Sequence, residues 1–401
     1  MSAEGRLLVI NAGSSSLKFA LYALGDSEPT ALARGQFAGI GRTLTFSAKS
    51  AAASSIDAAA LEPPAPAELA ALHSHADALL LLPEWLARRG LADVIAGAGH
   101  RVVHGGSRFS GPVRITPEIL DALAALEPLA PHHQPHNVAA IRALLRQQPD
   151  LPQVACFDTA FHATMPEPAR RLGLPPALEA KGLRRYGFHG LSYEYVTERI
   201  AALRDGDLPR HLVIAHLGNG ASMAAVKDGR SCATTMGFST LDGLVMGTRI
   251  GSLDPGAILH LMRTEGMGLA ALEDLLYNKC GLLGLSGLSA DMRTLLESPD
   301  PRAQAAIEQY CYAIVRHAGS LAAAMGGLDA FAFTGGIGEN AAPVRARVCR
   351  DLAWLGLDLD EAANAKGGPL ISRPGSRMAA YVVPTDEELV IARHTRRLLG
   401  L

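Results

Sequence analysis

One short pattern, a strand followed by a polar turn containing glycine and then a second strand, occurs once in each half of this chain. In the N-terminal copy the apolar run at residues 7–10 breaks at small polar residues and resumes at residues 17–22. In the second copy residues 212–215 lead into a turn at residues 216–222, and another apolar run follows at residues 223–226. Apolar runs broken in this way are typical of β-hairpins. The repetition predicts two related halves, each of which opens with a hairpin.

Helical periodicity follows both hairpins and alternates with further short apolar runs. Strands that alternate with helices indicate an α/β protein whose mixed sheets are covered by helices. Because 401 residues exceed what one hydrophobic core usually serves, we expect two domains, with ligands in the cleft between them. The Ala-, Ser- and Pro-rich stretch at residues 47–71 is interpreted as variable surface structure or a mobile connection. The predicted helices cover residues 116–126, 137–147, 192–203, 255–262, 303–325 and 342–352, and the other predicted strands cover residues 154–157 and 330–333.

The composition argues against several classes of partner. A formal net charge of -2 provides no field that would gather nucleic acid or anionic lipid. No apolar stretch approaches the roughly 20 residues of a membrane span, and residues 1–6 lack the basic segment of a signal peptide. The five cysteines are scattered singly, without the paired spacing of a zinc site or a disulfide framework. We therefore expect a cytoplasmic protein that binds neither nucleic acid nor membranes.

Three loops combine glycine with polar residues in a way that suits phosphate binding. Residues 11–18 bring together small residues, the hydroxyls of residues 14–16 and the charge of Lys18. Residues 216–220 and 334–340 supply further glycines, the latter between a predicted strand and a predicted helix. Backbone N–H groups of such loops can bind nucleotide phosphates. Each loop alone is also compatible with an ordinary tight turn, and the first is not the common P-loop motif, but three of them in two similar halves favour nucleotide binding.

Four side chains and one acidic run have neighbours that suggest a chemical role. Arg101 and Arg249 each lie among glycines, and a guanidinium can bind carboxylate or phosphate oxygens through paired hydrogen bonds. Asp158 directly follows a predicted strand, where α/β proteins place ligand-binding groups, and His189 is bracketed by glycines. The alternatives are surface ion pairs for the arginines, a helix cap for the aspartate and a core position for the histidine. Three acids at residues 386–388 precede the last predicted helix, where they can equally serve as a cap and first-turn acids.

Nine motifs together resemble the acetate kinase family, which belongs to the broader group of actin-like ATPases and sugar kinases. They span nearly the whole chain and occur in the family's order: NAGSSSLKF, GHRVVHGG, FDTAFH, RYGFHG, HLGNGAS, TTMGFS, LDGLVMGTR, FTGGIGEN and PTDEELVIAR. The resemblance implies an α/β fold with two actin-like (ribonuclease H-like) domains and a cleft between them. Residues 1–158 plus 386–401 would form the domain that binds the acid and Mg²⁺, and residues 159–385 the domain that binds nucleotide. A homodimer is implied as well.

The resemblance also implies a reaction, the reversible in-line transfer of the γ-phosphoryl group of ATP to the carboxylate of acetate, which yields acetyl phosphate and ADP. Mg²⁺ would be the metal, with Mn²⁺ as a substitute. A kinase for propionate or another short-chain acid is the nearest alternative, and a catalytically silent nucleotide-binding regulator is an alternative of a different class. A carboxylic acid is already ionised at neutral pH, so we expect Asp158 to orient Mg²⁺ or an arginine rather than to take a proton.

Carried over residue by residue, the resemblance implies that Asn11 and Glu388 hold the metal and that Asp158, His189 and Arg249 are catalytic. Among the catalytic residues, Arg249 and His189 would stabilise the moving phosphoryl group. The residues implied in substrate binding are Arg101, Val103, His133 and Phe188. The residues implied in nucleotide binding are Lys18, His216, Leu217, Gly218, Asn219, Gly220, Asp291, Met292, Arg293, Gly335, Gly336, Ile337, Gly338, Glu339 and Asn340.

The chain departs from the family pattern at several positions near these residues. His132 and Thr240 replace a leucine and a proline that line the acyl pocket in the family, so the choice between acetate and propionate stays open. Tyr193 replaces the histidine that usually follows the motif RYGFHG by three residues. Ile250 and Ser252 replace the usual serine and aspartate after the second arginine. None of these replacements removes a residue to which the resemblance gives a catalytic role.

Overall fold

The computed structural model describes residues 5–13, 16–25, 28–40, 43–51, 54, 56–57, 61–72, 74–92 and 95–401. Over these ranges the chain forms twelve strands and sixteen α-helices. The chain divides into two compact units, Met1–Ala160 together with Asp386–Leu401, and Phe161–Thr385. Each unit is built around one β-sheet.

The strands occur in two groups along the chain, seven in the first unit and five in the second. Those of the first unit are β1 (Arg6–Ala12), β2 (Ser16–Ala23), β3 (Thr30–Ala38), β4 (Thr45–Ser50), β5 (Ile95–Val102), β6 (Val113–Arg114) and β7 (Gln153–Phe157). Those of the second unit are β8 (His211–Leu217), β9 (Ala221–Lys227), β10 (Arg230–Thr234), β11 (Ala330–Thr334) and β12 (Ala379–Val382).

The α-helices lie between these strands and after the last of them. The first eight are α1 (Pro66–Ala70), α2 (His75–Ala87), α3 (Pro117–Ala124), α4 (Gln134–Gln147), α5 (Glu167–Arg170), α6 (Pro176–Glu179), α7 (Gly190–Leu203) and α8 (Pro255–Thr264). The others are α9 (Leu269–Asp274), α10 (Gly281–Ser286), α11 (Met292–Glu297), α12 (Pro301–Met325), α13 (Gly335–Asn340), α14 (Ala342–Asp351), α15 (Glu361–Lys366) and α16 (Glu387–Leu399).

The first unit contains a seven-stranded mixed sheet in the order β4-β3-β2-β1-β5-β7-β6. β1 pairs antiparallel with β2 and parallel with β5, and β7 also pairs parallel with β5. In this register Asn11 lies opposite Lys18, and Arg101 lies opposite Cys156, two residues before Asp158. Parallel strands present their carboxyl ends at one edge of a sheet. The sheet therefore brings Asn11, Arg101 and Asp158 to the same edge.

Helices cover both faces of this sheet. α4 packs on β1 and β5, and its Ala140 and Leu144 share a buried cluster with Ala98 of β5. α16 packs on β1, β5 and β7, and a Cβ added at the neighbouring Gly99 would lie 2.3 Å from Thr395 Oγ1. Because successive residues of a strand point to opposite faces, the two helices lie on opposite sides of the sheet. The missing side chain at Gly99 allows α16 to approach β5 closely.

The second unit contains a five-stranded mixed sheet in the order β10-β9-β8-β11-β12. β8 pairs antiparallel with β9 and parallel with β11, which pairs parallel with β12. This succession of antiparallel and parallel neighbours matches that of β3-β2-β1-β5-β7 in the first sheet. His216 of β8 lies opposite Ser222 of β9 across the hairpin. On its other side, His216 lies beside Thr334 of β11. The predicted pair of hairpins and the predicted α/β class with mixed sheets and flanking helices are therefore confirmed.

The longest helix, α12, shows why the predicted helices lie close to the observed ones. The Asp300 side chain accepts a hydrogen bond from the Arg302 backbone N–H at 2.8 Å, and Pro301 occupies the first helical position. The helix ends at Gly326, which has a φ of 81°. An aspartate cap, a first-turn proline and a left-handed glycine are local signals that need no tertiary structure.

Most described residues of the stretch 47–71 are exposed or half-buried, which fits surface structure, but the stretch also contains regular structure and core residues. Residues 47–50 belong to β4, and α1 lies at residues 66–70. Ile56 and Leu61 are buried in the core of the first unit, 7% and 4% exposed. The stretch has no aromatic residues and little periodicity. Its contacts with the core are made by single apolar residues, which composition alone does not reveal.

The structure also bears on the membrane and cysteine expectations. In the described part of the chain no helix combines the length and the apolar character that a membrane span requires. All five cysteines are free thiols, of which Cys156, Cys311 and Cys349 are buried.

Candidate functional site

Arg101 and Asp158 form a forked ion pair at the edge of the first sheet. Arg101 Nε donates to Asp158 Oδ1 at 2.9 Å, and Arg101 Nη2 donates to Asp158 Oδ2 at 2.6 Å. The side chain of Asp158 is 1% exposed and that of Arg101 is 20% exposed. The remaining terminal nitrogen, Nη1, donates to Asn11 Oδ1 at 3.2 Å. Paired, charge-assisted hydrogen bonds fix the plane of a guanidinium, so Arg101 is held in one orientation.

The first turn of α16 adds a half-buried carboxylate to this edge. Glu387 Oε2 lies 3.9 Å from Arg101 Nε, and its side chain is 13% exposed. Burial raises the pKa of Glu387 to about 7; the charge of Arg101 opposes this shift, and those of Asp158 and Glu388 add to it. For Arg101, burial alone lowers the pKa, but the carboxylates of Asp158 and Glu387 outweigh it and hold the pKa above its ordinary value. The guanidinium is therefore charged at any working pH.

The two neighbouring acids face a different arginine. Asp386 accepts a hydrogen bond from the Leu389 backbone N–H at 3.0 Å and so caps α16, which confirms the capping alternative for this residue. Asp386 also forms an ion pair with Arg34, and Tyr22 Oη donates to Asp386 Oδ1 at 3.4 Å. Glu388 Oε2 lies 3.7 Å from Arg34 Nη1.

Sequence reasoning missed Glu387 as a site residue. The three consecutive acids at residues 386–388 were a signal, but the sequence alone did not tell which of them would face Arg101. The helix decides this, since successive residues of a helix point in different directions. Glu388, the predicted metal ligand, lies beside Arg34, and Glu387 lies beside Arg101.

The donor set at this edge fits a hard divalent cation. The amide oxygen of Asn11 and the carboxylates of Glu387 and Glu388 are oxygen ligands of the kind that Mg²⁺ prefers. The described residues contain no group of three or more His, Cys, Asp or Glu side chains arranged to hold a metal. A site with one or two protein ligands suits Mg²⁺, because this ion usually keeps waters and binds substrate phosphates.

Three other predicted residues of the first unit lie around this edge. Lys18 is exposed on β2, opposite Asn11. Val103 is buried directly after β5, and its backbone N–H donates to Asn137 Oδ1 at 2.9 Å. His133 is half-buried immediately before α4. Of the three serines expected to bind phosphate, the first two, at residues 14–15, lie outside the described residues.

In the second unit, His189 and His216 are stacked. Their ring centroids are 4.3 Å apart and their planes are inclined by 19°. His189 precedes α7 with a φ of 59°, a left-handed conformation that is uncommon for residues other than glycine. His189 Nδ1 is hydrogen-bonded to Ser222 Oγ at 2.8 Å, and His216 Nδ1 to Ser192 Oγ at 2.8 Å. Each imidazole is therefore held through Nδ1.

The glycine turn between β8 and β9 brings His189 and Arg249 to one place. A Cβ added at Gly220 would lie 3.4 Å from Arg249 Nη1 and 3.5 Å from His189 Nε2. Arg249 Nη1 also donates to the carbonyl oxygen of Thr240 at 3.2 Å. A guanidinium and an imidazole nitrogen beside a turn without a side chain form an arrangement that suits an anion such as a phosphoryl group.

The third glycine loop coincides with α13 and abuts the end of β8. Gly335 has a φ of 77°, and a Cβ there would lie 2.9 Å from the carbonyl oxygen of Leu217, so only glycine fits. The Gly335 N–H donates to Glu339 Oε1 at 2.9 Å. Thr334 Oγ1 is buried beside this loop and has no hydrogen-bond partner among the described residues. An unpartnered buried hydroxyl at a glycine loop fits the binding of a polar ligand there.

The remaining predicted nucleotide-binding residues fall into two groups. The turn residues Gly218 and Asn219 are tied by backbone hydrogen bonds to Gly220 and Gly247 at 3.1 Å each. In contrast, Asp291 and Arg293 form an ion pair with each other at 3.0 Å at the start of α11, where both are exposed. Met292, between these two residues, is 3% exposed. The other predicted nucleotide-binding residues lie within α13 and are Gly336, Ile337, Gly338 and Asn340.

Phe188, predicted to bind substrate, is 1% exposed and precedes the stacked His189. Its carbonyl oxygen accepts a hydrogen bond from His162 Nε2 at 3.0 Å. Burial lowers the pKa of His162 to about 4, so this imidazole is neutral at pH 7. The loop that carries His189 therefore rests on a buried, neutral histidine that the sequence did not single out.

Comparison with known proteins adds independent information. The model of the acetokinase family matches residues 6–393. An acetate kinase of Rhodopseudomonas palustris is 51% identical over 402 residues, and one of Rhizobium meliloti is 46% identical over 394 residues; each alignment covers 98% of both chains.

Two solved structures match the fold at similar coverage. A propionate kinase from Francisella tularensis subsp. tularensis superposes with a TM-score of 0.87 at 35% identity, covering 98% of this chain and all of the other. The acetate kinase of Porphyromonas gingivalis superposes with a TM-score of 0.85 at 37% identity, with the same coverage. These matches confirm the family that the sequence motifs predict. The chain therefore belongs to the acetokinase family and is a phosphotransferase.

Proposed function

We propose that this chain transfers the γ-phosphoryl group of ATP to the carboxylate of acetate, reversibly, giving acetyl phosphate and ADP. The observation that carries the proposal is the fixed guanidinium of Arg101 at the sheet edge, in a chain 51% identical to an acetate kinase over 98% of its length. A planar guanidinium is suited to bind a carboxylate substrate.

Arg101 is proposed to bind the acid, and Asp158 to keep Arg101 in place. An acid with a pKa of roughly 4 to 5 is ionised at neutral pH and can attack phosphorus without a general base. Asp158 accepts both of its short hydrogen bonds from Arg101, which supports an orienting role rather than proton transfer. Val103, His133 and Phe188 are proposed to contact the acyl group.

Arg249 and His189 are proposed to act on the phosphoryl group. Phosphoryl transfer depends on positioning and on neutralising the charge of the equatorial oxygens. Arg249 supplies a permanent positive charge and His189 a hydrogen-bonding nitrogen, both beside Gly220. The nucleotide is proposed to contact Lys18 and the residues that the resemblance implies at positions 216–220, 335–340 and 291–293.

Asn11 and an acid of α16 are proposed to hold the metal. When bound, Mg²⁺ or Mn²⁺ neutralises charge on the phosphate oxygens. Glu388 is the ligand that the resemblance implies, and Glu387 is a second candidate because of its position beside Arg101. Comparing Glu387→Gln with Glu388→Gln by Mg²⁺ titration decides between them: the variant that lacks a ligand needs a higher Mg²⁺ concentration for half-maximal activity. Glu308→Gln, which alters an exposed ion pair with Arg347, is the control.

A hydroxamate assay with ATP, Mg²⁺ and acetate tests the proposed reaction directly. Formation of acetyl phosphate supports it. Binding of ATP with no acyl phosphate from any short acid would instead identify a silent nucleotide-binding protein. Near-complete loss of product with Arg101→Gln, with ATP binding retained, would support Arg101 as the residue that binds the acid.

A kinase for propionate is the second candidate, and the structural match to a propionate kinase at a TM-score of 0.87 favours testing it. The ratio of kcat/KM values for acetate, propionate and butyrate separates the two activities. The homodimer that the resemblance implies and the cytoplasmic location that the sequence predicts both stay predictions. Light scattering during gel filtration tests the first.

A further inference from the structure

Two hydroxyl groups form a hydrogen-bonded chain behind His189. Ser222 Oγ lies 2.8 Å from His189 Nδ1 and 2.5 Å from Tyr193 Oη. Tyr193 and Ser222 are both fully buried. His189 Nε2, the other ring nitrogen, is the one that lies near Gly220. The two hydroxyls therefore reach His189 at Nδ1, through Ser222, whereas the other ring nitrogen, Nε2, lies beside the proposed phosphoryl position.

The direction of these hydrogen bonds follows from the acidity of the hydroxyls. Each hydroxyl carries one proton, and Ser222 Oγ has two partners, so it donates to one and accepts from the other. A tyrosine hydroxyl, with a pKa of about 10, is far more acidic than a serine hydroxyl and is the better donor. Tyr193 then donates to Ser222, and Ser222 donates to His189 Nδ1. In a neutral imidazole whose Nδ1 accepts, the proton is on Nε2.

We infer that Tyr193 is a positioning residue that acts through Ser222 to hold His189 in the tautomer with its proton on Nε2. His189 then presents an N–H donor toward the space beside Gly220, next to the guanidinium of Arg249. A donor there can bind a phosphoryl oxygen, whereas the other tautomer would present a lone pair and repel it. The inference rests on the proposed function in that it assigns a role to His189 in the same site.

The packing around His189 supports a fixed imidazole. His216 is opposite Ser222 on the hairpin and stacks on one face of the His189 ring. His162 contacts the Tyr193 ring edge-on, with centroids 5.5 Å apart, and donates to the carbonyl oxygen of Phe188. The left-handed backbone of His189 is thus held by contacts on several sides.

A second histidine in the same unit shows the same arrangement of partners. His162 Nε2 must donate to the Phe188 carbonyl oxygen, because a carbonyl can only accept. Its Nδ1 therefore accepts from Ser231 Oγ at 2.8 Å. His162 thus provides an example in this unit of an imidazole that accepts from a serine hydroxyl at Nδ1 and carries its proton on Nε2. Tyr193 stands where the family pattern has a histidine, so the resemblance did not imply this chain of hydroxyls.

Nitrogen-15 NMR of histidine-labelled protein tests the inference, with His189→Gln to assign the signal. In the unaltered protein at pH 7.5 to 8, the expected signals are an unprotonated Nδ1 and a protonated Nε2. Tyr193→Phe is expected to leave a mixture of tautomers and to lower kcat about tenfold with KM for ATP and acid changed less than twofold. Tyr310→Phe is the matched control, since Tyr310 is 1% exposed and its hydroxyl has no hydrogen-bond partner among the described residues.

Ser222→Ala provides a second test if Tyr193→Phe does not fold, and it should likewise abolish the preference for one tautomer. A proton on Nδ1 of His189 in the unaltered protein would overturn the inference. So would a tautomer ratio that is the same in Tyr193→Phe, Ser222→Ala and the unaltered protein. The NMR result does not depend on turnover, so the predicted tautomer in a chain with no acyl phosphate formation would contradict the proposed function alone.

Discussion

Arg101 and Asp158 meet at the ends of neighbouring parallel strands, where the Arg101 guanidinium donates two short hydrogen bonds to the buried carboxylate, which set the plane of the guanidinium. Asp158 follows its strand directly, and Arg101 is the penultimate residue of its own strand. The pair is thus a product of strand register. A shift of one residue in the register between these strands would separate the two charges.

Asp158→Asn should remove most of kcat. The amide cannot supply the negative charge or accept both hydrogen bonds, so the Arg101 guanidinium loses its fixed orientation, and losses of about 10² or more are usual for a misplaced charge-stabilising group. Stability should fall as well, since breaking a buried ion pair costs about 3–5 kcal/mol. Steady-state kinetics and urea denaturation measure the two effects. Near-normal turnover would remove Asp158 from the site; Asp207→Asn, in an exposed ion pair with Arg204, is the control.

Gly220→Ala should lower activity without unfolding the protein. The added methyl group would lie 3.4 Å from Arg249 Nη1 and 3.5 Å from His189 Nε2, which are ordinary contact distances, so folding tolerates it. It would nevertheless occupy the space where the proposed phosphoryl oxygens lie. We expect a fall in kcat of about tenfold or more at unchanged Tm. Gly319→Ala, where an added Cβ meets nothing within 4 Å, should leave kcat unaltered, and equal activity in the two variants would contradict the proposed position.

Arg34→Met should loosen the first turn of α16. Arg34 pairs with both Asp386 and Glu388, so its loss leaves two adjacent carboxylates without their shared cation. We expect a loss of about 1–3 kcal/mol in the free energy of unfolding and a higher Mg²⁺ requirement, because Glu387 is in the same turn. Arg88→Met, which removes an exposed ion pair with Glu68, should change neither quantity measurably. An unchanged Mg²⁺ titration in Arg34→Met would show that this network does not position the acids.

Acidification should destabilise the protein from about pH 6.5 downward. Burial lowers the pKa of His100, His104 and His162 from 6.5 to about 4 each, so the unfolded state binds more protons than the folded state between these values. Each histidine then removes up to about 1.4 kcal/mol of stability per pH unit as the pH falls through this window. Glu387 acts in the opposite direction, because its raised pKa contributes stability below pH 4.5 that is lost as the pH rises through about 7.

Guanidinium denaturation at several pH values between 7.5 and 4.5 measures the balance of these four groups. Three histidines outweigh one glutamate, so the midpoint should fall with pH over most of this range. Glu387→Gln should make the fall steeper between pH 7 and 4.5, since Glu387 is the member of these four groups that opposes it. A midpoint that is constant from pH 7 to 5 would contradict the neutral, buried state of the histidines.

The sequence by itself determined the local structure of this protein. Both hairpins lie where the interrupted apolar runs predict them, and α12 lies within two residues of its prediction at the N-terminal end, because caps, glycines and apolar periodicity act over a few residues. The nine motifs also identified the family. Composition did not reveal that single apolar residues of the stretch 47–71 enter the core.

Only the tertiary structure decided which side chains meet. Arg34 and Asp386 are separated by 352 positions, and no local pattern indicates that they pair or that Glu387 is the acid beside Arg101. The departure at Tyr193 was visible in the sequence, but its link to His189 through Ser222 depends on how α7 packs against β8 and β9. Backbone preferences are short-ranged, whereas strand register and helix packing are set by burial over the whole unit, and the site is built from these long-range contacts.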